Sequence, residues 1–193
     1  MRAYERLIEY VKVPTPSAEE STTHPTSQCQ FDLANKLVEE LKTLGAVDVR
    51  VDEHCYVYGK IPASAGYEGK TKLGFISHMD TVSDFADHAV RPLVHPDYDG
   101  EDLKLGESGR VLEKSVFPHL SELKGRTLIT SDGTTILGAD DKAGIAEIMT
   151  MVEELKKRDI PHGQISIGFT PDEEVGQGAD LFDVPGFGAE FAY

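Results

Sequence analysis

The sequence has no tryptophan, only two cysteines and comparatively few basic residues. Cys29 and Cys55 are too few to build a disulfide framework, so a reduced, cytoplasmic setting is the simpler prediction. The N-terminal segment carries Glu5, Arg6 and Glu9, where a signal peptide needs an apolar centre. No apolar run approaches the roughly 18 residues of a membrane-spanning helix. These absences argue against a secreted disulfide scaffold and against a membrane protein.

Positive charge is scarce as well, because 34 acidic residues against 19 basic ones give a formal net charge of −15. Nucleic-acid binding needs a basic face, and anionic membrane surfaces attract basic segments, so neither partner is expected. Solubility explains most of the acidic excess. A smaller part of it is explained if some carboxylates gather to hold cations.

The patterns that are present alternate between helix and strand, which predicts an α/β layered fold. Apolar spacing predicts helices over residues 2–11, 27–44 and 142–157, and Gly45 is expected to end the second of them. Residues 72–77 read as a buried strand. The stretch from Asp84 to Gly133 is too long for a structureless loop, so we expect hairpins within it.

Three segments that read as strands end in residues able to bind a metal ion. "LGFIS" is followed by His78 and Asp80, "TTILGA" by Asp140, and "QISIGF" by Glu173 and Glu174. Ligands of open α/β sheets lie outside the carboxyl ends of the strands, so these side chains are expected to meet at one rim. Carboxylates packed together raise one another's pKa or need a counter-ion. Histidine with carboxylates suits zinc, with manganese or cobalt as alternatives.

Each segment by itself also has an ordinary structural explanation. Asp80 can hydrogen-bond within a turn, and Asp140 precedes a helix, where an acidic residue is favoured by capping and by the helix dipole. A lone His78 is more often structural than metal-binding, and an acidic turn is usually just solvated. Three such strand ends together are hard to explain as independent caps, so the metal-site hypothesis is favoured.

The spacing of these residues suggests separate roles. Asp80 lies two residues after His78, so both side chains point to the same face of an extended segment. We therefore expect Asp80 to accept the second imidazole N–H and to fix the metal-binding tautomer. Glu173 and Glu174 are adjacent and diverge, so one can bind a metal while the other acts as a general base. This division of roles is that of a metal-assisted hydrolase.

The segments "HMDT", "GADDKAGIAEIM" and "FTPDEEVGQGA" resemble the di-zinc metallopeptidase family that includes glutamate carboxypeptidases, amino-acid deacylases and dipeptidases. The resemblance covers essentially the whole chain and is closest to a tripeptide aminopeptidase branch. It implies a three-layer zinc-exopeptidase-like α/β fold with a central mixed, largely parallel sheet. Residues 1–193 would then form the N-terminal part of the catalytic domain.

The resemblance also implies a role for each residue. His78 would bind the first of two Zn²⁺ ions, Asp140 would bridge both ions, and Glu174 would bind the second. Glu173 would be the general base that activates water and later protonates the leaving amine, and Asp80 would support His78. The peptide bond between Asp140 and Asp141 is expected to be cis.

Further features that the resemblance implies would lie beyond Tyr193. These are one more aspartate ligand, one more histidine ligand, and a lid and dimerisation domain inserted between them. The chain would then be an N-terminal fragment of a homodimeric enzyme that acts on small peptides. Because each metal would keep few of its ligands, we expect the fragment alone to bind zinc weakly and to lack useful activity.

Two alternatives remain open at this point. One is a deacylase or carboxypeptidase of the same superfamily, with the same amide hydrolysis at the metals. The other is a non-catalytic metal-binding fragment. A serine or cysteine hydrolase is disfavoured because the sequence has no G-x-S-x-G elbow and neither cysteine has a catalytic context.

Overall fold

The structure is a computed structural model that describes all residues from 1 to 193. It divides into two units, a sheet unit formed by residues 1–83 and 138–193 and a hairpin unit formed by residues 84–137. In chain order the elements are α1 (Ala3–Val11), α2 (Gln30–Leu44), β1 (Val47–Val51), β2 (Val57–Ile61), β3 (Leu73–His78), β4 (Pro92–His95), β5 (Leu103–Lys104), β6 (Val111–Leu112), β7 (Leu128–Ser131), α3 (Ala139–Lys157), β8 (Ile165–Thr170), α4 (Val184–Phe187) and β9 (Phe191–Ala192), with 3₁₀ turns at Pro118–Leu123 and Glu173–Val175.

The sheet unit contains a five-stranded mixed sheet in the order β1-β2-β8-β3-β9. The pairs β1–β2 and β2–β8 are antiparallel, whereas β8–β3 and β3–β9 are parallel. The expected mixed α/β sheet is therefore confirmed, with its parallel part around β3 and β8. Parallel pairing of these two strands brings their carboxyl ends to the same edge.

Helices cover one face of this sheet and form its main core with the strands. α2 presents Leu33, Leu37 and Leu41 to that core at helical spacing, and each of them is fully buried. The opposite face carries a smaller aromatic cluster around Tyr56 and Phe187. A layer of helices, the sheet and this aromatic layer match the layered architecture that the alternating pattern predicts.

The second helix ends where its sequence predicts and begins later than predicted. Gly45 adopts the left-handed conformation with φ +92°, and its N–H bonds to the carbonyl of Lys42. α2 starts at Gln30 and not at Ser27, because Ser27 donates its hydroxyl to the carbonyl of Pro16 and the residues after it form a turn.

The expectation of hairpins between residues 84 and 133 is confirmed for the consecutive strands β5 and β6, whereas β4 pairs with β7, with β5 and β6 between them in the chain. β4 pairs with β7 and β5 pairs with β6, both antiparallel. The strand predicted for "TTILGA" is wrong, because residues 134–138 form no strand. Local hydrogen bonds replace the sheet ladder there: Thr134 N donates to Asp132 Oδ1 at 2.9 Å, and Ser131 Oγ donates to the carbonyl of Thr135 at 2.6 Å.

No helix in the structure is both long enough and apolar enough to span a bilayer.

Candidate metal and catalytic site

The five predicted residues His78, Asp80, Asp140, Glu173 and Glu174 all lie at one edge of the sheet unit, and we call them the strand-end cluster. His78 is the last residue of β3 and pairs in register with Thr170, the last residue of β8. Two residues, Pro171 and Asp172, separate Thr170 from the 3₁₀ turn that holds Glu173 and Glu174. Parallel pairing of β3 with β8 therefore delivers the histidine and both glutamates to the same edge.

Asp140 reaches the cluster from the start of α3 and not from the end of a strand. Asp140 and Asp141 have non-helical backbone angles, and the peptide bond between them is cis, which confirms the expectation from the family resemblance. Asp140 Oδ1 lies 3.0 Å from His78 Nε2. Asp141 is turned away and accepts the hydroxyl of Ser77 at 2.7 Å and the N–H of Gly144 at 3.1 Å. Only the first of the two aspartates therefore faces the imidazole.

The His78 ring is enclosed by acidic groups. Besides Asp140, the carboxylate of Glu173 approaches Nε2 to 3.7 Å, and Asp80 Oδ1 lies 3.4 Å from Nδ1. Burial by itself lowers the pKa of His78, but the hydrogen bond and charge of Asp80, the hydrogen bond of Asp140 and the charge of Glu173 outweigh it and raise the pKa to about 9. The imidazole is thus positioned to bind a positive species at Nε2, either a proton or a cation.

Asp80 supports this arrangement through a buried carboxylate. Its side chain is fully buried and accepts the backbone N–H of Glu173 at 3.0 Å and that of Glu174 at 3.1 Å. The closest partner of His78 Nδ1 is the backbone carbonyl of Asp80 at 3.0 Å. A carbonyl only accepts, so Nδ1 carries a hydrogen and the neutral ring presents its lone pair at Nε2.

The two glutamates of the turn differ in their surroundings. The side chain of Glu173 is 57% exposed. Glu174 is half-buried, and burial raises the pKa of its carboxyl. The charge of His78 opposes that rise, while the neighbouring carboxylates of Asp140, Asp80 and Glu173 add to it. Each member of the cluster therefore acts electrostatically on Glu174.

The chemistry of these donors fits a divalent cation. Ligands bound at about 2.0–2.2 Å in a tetrahedral zinc site lie roughly 3.3 Å from each other. The 3.0 Å between His78 Nε2 and Asp140 Oδ1 is close to that separation. No group of three or more histidine, cysteine, aspartate or glutamate side chains is arranged as a complete coordination site. The residues present thus provide a pair of donors at suitable spacing and additional carboxylates beside them.

Sequence reasoning missed two buried residues next to the cluster. Lys142 is buried, donates to the carbonyl of Val13 at 2.8 Å, and has its pKa lowered to about 8 chiefly by burial. Asp172 is fully buried immediately before the Glu173 turn. A signal for Lys142 exists, because it shares helical spacing with the buried Ile145 and Met149. No local pattern distinguishes Asp172 from a solvated acidic turn.

Comparison with solved structures defines the class of fold. No family model matches the chain. The aminopeptidase PepT from Bacillus cereus aligns over all of this chain and 42% of its own, with a TM-score of 0.70 and 26% identity. A tripeptidase from Staphylococcus aureus has the same coverage, a TM-score of 0.67 and 29% identity. An M20 family metallo-carboxypeptidase from Sulfolobus solfataricus shares the fold, with a TM-score of 0.52 and 18% identity. The chain therefore has the fold of these exopeptidases.

Comparison with curated proteins shows which sequences within this fold class the chain resembles. A peptidase T from Clostridium perfringens strain 13 is 51% identical over 193 residues, which is all of this chain. A peptidase T from Aliivibrio fischeri is 49% identical over 190 residues. The chain is homologous to peptidase T along its whole length, which confirms the family resemblance. It spans about half the length of the curated relatives it matches, 47% in the first case.

Proposed function

We propose that this chain carries part of the active site of a metal-dependent aminopeptidase that removes the N-terminal residue of tripeptides. The observation that carries the proposal is the position of His78 Nε2, 3.0 Å from Asp140 Oδ1 and 3.7 Å from Glu173 Oε2. The description of the Bacillus cereus structure as an aminopeptidase supports the reaction, and the description of the Staphylococcus aureus structure as a tripeptidase supports the substrate class.

His78, Asp140 and Glu174 would be the metal ligands, and Asp140 would contribute to both of two Zn²⁺ sites. Mn²⁺ or Co²⁺ would fit the same nitrogen and oxygen donors. When bound, such ions polarise a peptide carbonyl and make water a better nucleophile at neutral pH. Catalytic zinc normally has three protein ligands, so the proposal includes further ligands from outside residues 1–193.

Glu173 is the proposed general base. Its carboxylate is exposed and makes no hydrogen bond, whereas its backbone N–H is held by Asp80. A carboxylate with a fixed backbone and a free head can take a proton from an attacking water and pass it to the leaving amine. Asp80 holds both His78 and this turn, so it orients the proposed ligand and the proposed base together.

The proposal also covers the cellular location and the oligomeric state of the enzyme. The free thiols of Cys29 and Cys55 support a reducing, cytoplasmic location. Residues 1–193 would form the N-terminal part of the catalytic domain of a homodimer that binds small peptides. Because this chain covers about half of its relatives, we propose that it has no useful turnover by itself.

Activity of the full-length gene product that contains residues 1–193 tests the proposal. We expect release of alanine from tri-alanine, loss of this activity with a chelator and its recovery with Zn²⁺. Glu173→Gln should lower kcat by at least about 100-fold because proton transfer fails. Glu39→Gln is the matched control, since Glu39 is exposed and pairs only with Lys42.

Two outcomes would contradict the proposal. Hydrolysis of N-acetyl or N-succinyl amino acids without hydrolysis of tri-alanine would assign a deacylase or carboxypeptidase instead. Full activity of Glu173→Gln would remove the general-base role from this residue.

A further inference from the structure

We propose that Asp172 is a positioning residue, which clamps the turn carrying Glu173 and Glu174 to the N-terminal end of α2 and the segment just before it. This inference rests on the proposed function only for its catalytic consequence. The clamp itself is a set of hydrogen bonds among Asp172, Thr26 and Gln30.

The backbone at Asp172 is held in an uncommon conformation. Its φ is +56°, in the left-handed region that aspartate and asparagine tolerate better than most other residues. The carbonyl of Asp172 accepts the N–H of Gln177 at 2.9 Å and closes the turn. Gly178 follows at once, and a Cβ added there would lie 3.1 Å from Glu173 Cα. The turn is therefore tightly closed around Glu173.

The side chain of Asp172 is fully buried, and its hydrogen-bond partners are Thr26, which precedes α2, and Gln30, the first residue of α2. Oδ2 accepts the N–H of Thr26 at 2.9 Å, and Oδ1 accepts the amide of Gln30 at 2.7 Å together with the Thr26 hydroxyl. Gln30 also accepts the N–H of Asp172 through Oε1 at 3.3 Å, so its side-chain amide bonds to both the backbone and the carboxylate of Asp172. His24 Nδ1 lies 3.5 Å from Oδ2. A buried carboxylate requires such partners to be stable.

A second buried carboxylate holds the other side of the same turn. Asp80 accepts the backbone N–H groups of Glu173 and Glu174, the two residues that follow Asp172. The turn is thus held by Asp80 through its amides and by Asp172 through its side chain. Removing either clamp frees the backbone from which the proposed base projects. A displacement of about 1 Å at such a group can cost on the order of 100-fold in rate.

The donors of this clamp make no hydrogen bond to the metal-binding atoms proposed above. Thr26 and Gln30 bond to Asp172, and Thr26 Oγ1 also accepts the N–H of Ala18 at 3.0 Å. Loss of the clamp should therefore shift the turn that carries Glu173 and Glu174 without removing a donor atom from the proposed metal site. Because Glu174 is a proposed metal ligand on that turn, the positioning role is tested at saturating Zn²⁺.

The chain offers a matched control for a purely structural role. Asp52 also closes a turn, accepting the N–H of His54 at 3.0 Å and that of Tyr56 at 2.9 Å. It makes no hydrogen bond to the strand-end cluster. Asp52→Asn weakens a turn in the same sheet unit, so it reports what loss of stability alone does to activity.

The experiment compares Asp172→Asn with Asp52→Asn in the full-length gene product with saturating Zn²⁺. For Asp172→Asn we expect kcat on tri-alanine to fall about 10–100-fold with KM within about threefold of wild type. Hydrogen exchange of peptides covering residues 170–178 should become faster. For Asp52→Asn we expect kcat within about twofold of wild type and unchanged exchange over residues 170–178.

Thr26→Val and Gln30→Met keep the proposal testable if Asp172→Asn does not fold. Each removes donors to Asp172 and keeps a similar volume, so each should lower kcat about threefold to tenfold and speed exchange over residues 170–178. Wild-type kcat in both variants, with Glu173→Gln still inactive, would overturn the positioning role and leave the proposed function standing. If Glu173→Gln is fully active, the proposed function fails, and unchanged exchange over residues 170–178 would still overturn the clamp.

Discussion

The buried carboxylate of Asp80 accepts the backbone N–H of Glu173 at 3.0 Å, although the two residues are 93 positions apart in the sequence. This bond joins the end of β3 to the turn after β8. Asp80 also contacts His78 through its backbone carbonyl. One residue therefore fixes the proposed metal ligand and the proposed base relative to each other, and substitutions here test the whole arrangement.

Replacing Asp80 with alanine should weaken zinc binding of the full-length gene product about 10–100-fold, the usual effect of losing a residue that orients a metal ligand. The reason is that the Glu173 and Glu174 amides lose their acceptor and the His78 ring loses the carboxylate 3.4 Å from Nδ1, while the backbone carbonyl of residue 80 still accepts from that nitrogen. Calorimetric titration with Zn²⁺ measures the affinity. Asp48→Ala, at an exposed position in β1, is the control. An unchanged zinc affinity in Asp80→Ala would show that Asp80 has only a structural role in the turn.

Metal counting should separate the proposed ligands from each other. Asp140→Ala should release both ions, because this carboxylate is proposed to bridge them. His78→Ala should empty mainly one of the two positions, because its imidazole offers only Nε2. Elemental analysis of the dialysed full-length variants gives the zinc content per chain. Equal zinc loss in the two variants would contradict the bridging role.

Gly178→Ala should lower kcat about threefold to tenfold with little change in KM, because a Cβ at 178 would lie 3.1 Å from Glu173 Cα and 3.2 Å from its Cβ. Glu173 must then shift by a few tenths of an ångström. Gly69→Ala is the matched control, since a Cβ there meets nothing within 4 Å. Steady-state kinetics on tri-alanine measure both variants, and equal kcat values would show that Glu173 tolerates the shift.

Arg6→Met should lower the free energy of unfolding by about 2–4 kcal/mol, since it removes a buried guanidinium from half-buried acceptors and leaves Glu40 without a cationic partner. The Arg6 guanidinium donates to Glu40 at 2.7 Å, to Glu153 at 2.6 Å and to Thr150 at 2.9 Å, which ties α1 to α2 and α3. Urea unfolding measures the effect. Arg2→Met, at a mostly exposed position, should change stability by less than about 1 kcal/mol. Equal losses of unfolding free energy in the two variants would show that the burial of Arg6 does not add to stability.

Most of the fold was predictable because local repeats specify it. The buried leucines of α2 recur at helical spacing, and Gly45 supplies the left-handed stop. The prediction failed for "TTILGA", where β-branched residues favour a strand. There the hydroxyl of Ser131 and the carboxylate of Asp132 hydrogen-bond to the backbone in a turn. These side-chain hydrogen bonds compete with those of a sheet, and the spacing of apolar residues does not reveal them.

The sequence alone determined which donor types follow β3 and β8, and it predicted the cis peptide before Asp141 through the family resemblance. Only the tertiary structure decided which atoms meet: Asp140 faces His78 while Asp141 faces Ser77, and Asp172 is buried against Thr26. The physical reason is the separation along the sequence over which each interaction acts. Periodicity and capping act within a few residues, whereas these contacts join segments 62 to 146 positions apart and form only when β3 and β8 pair and α2 packs against the sheet.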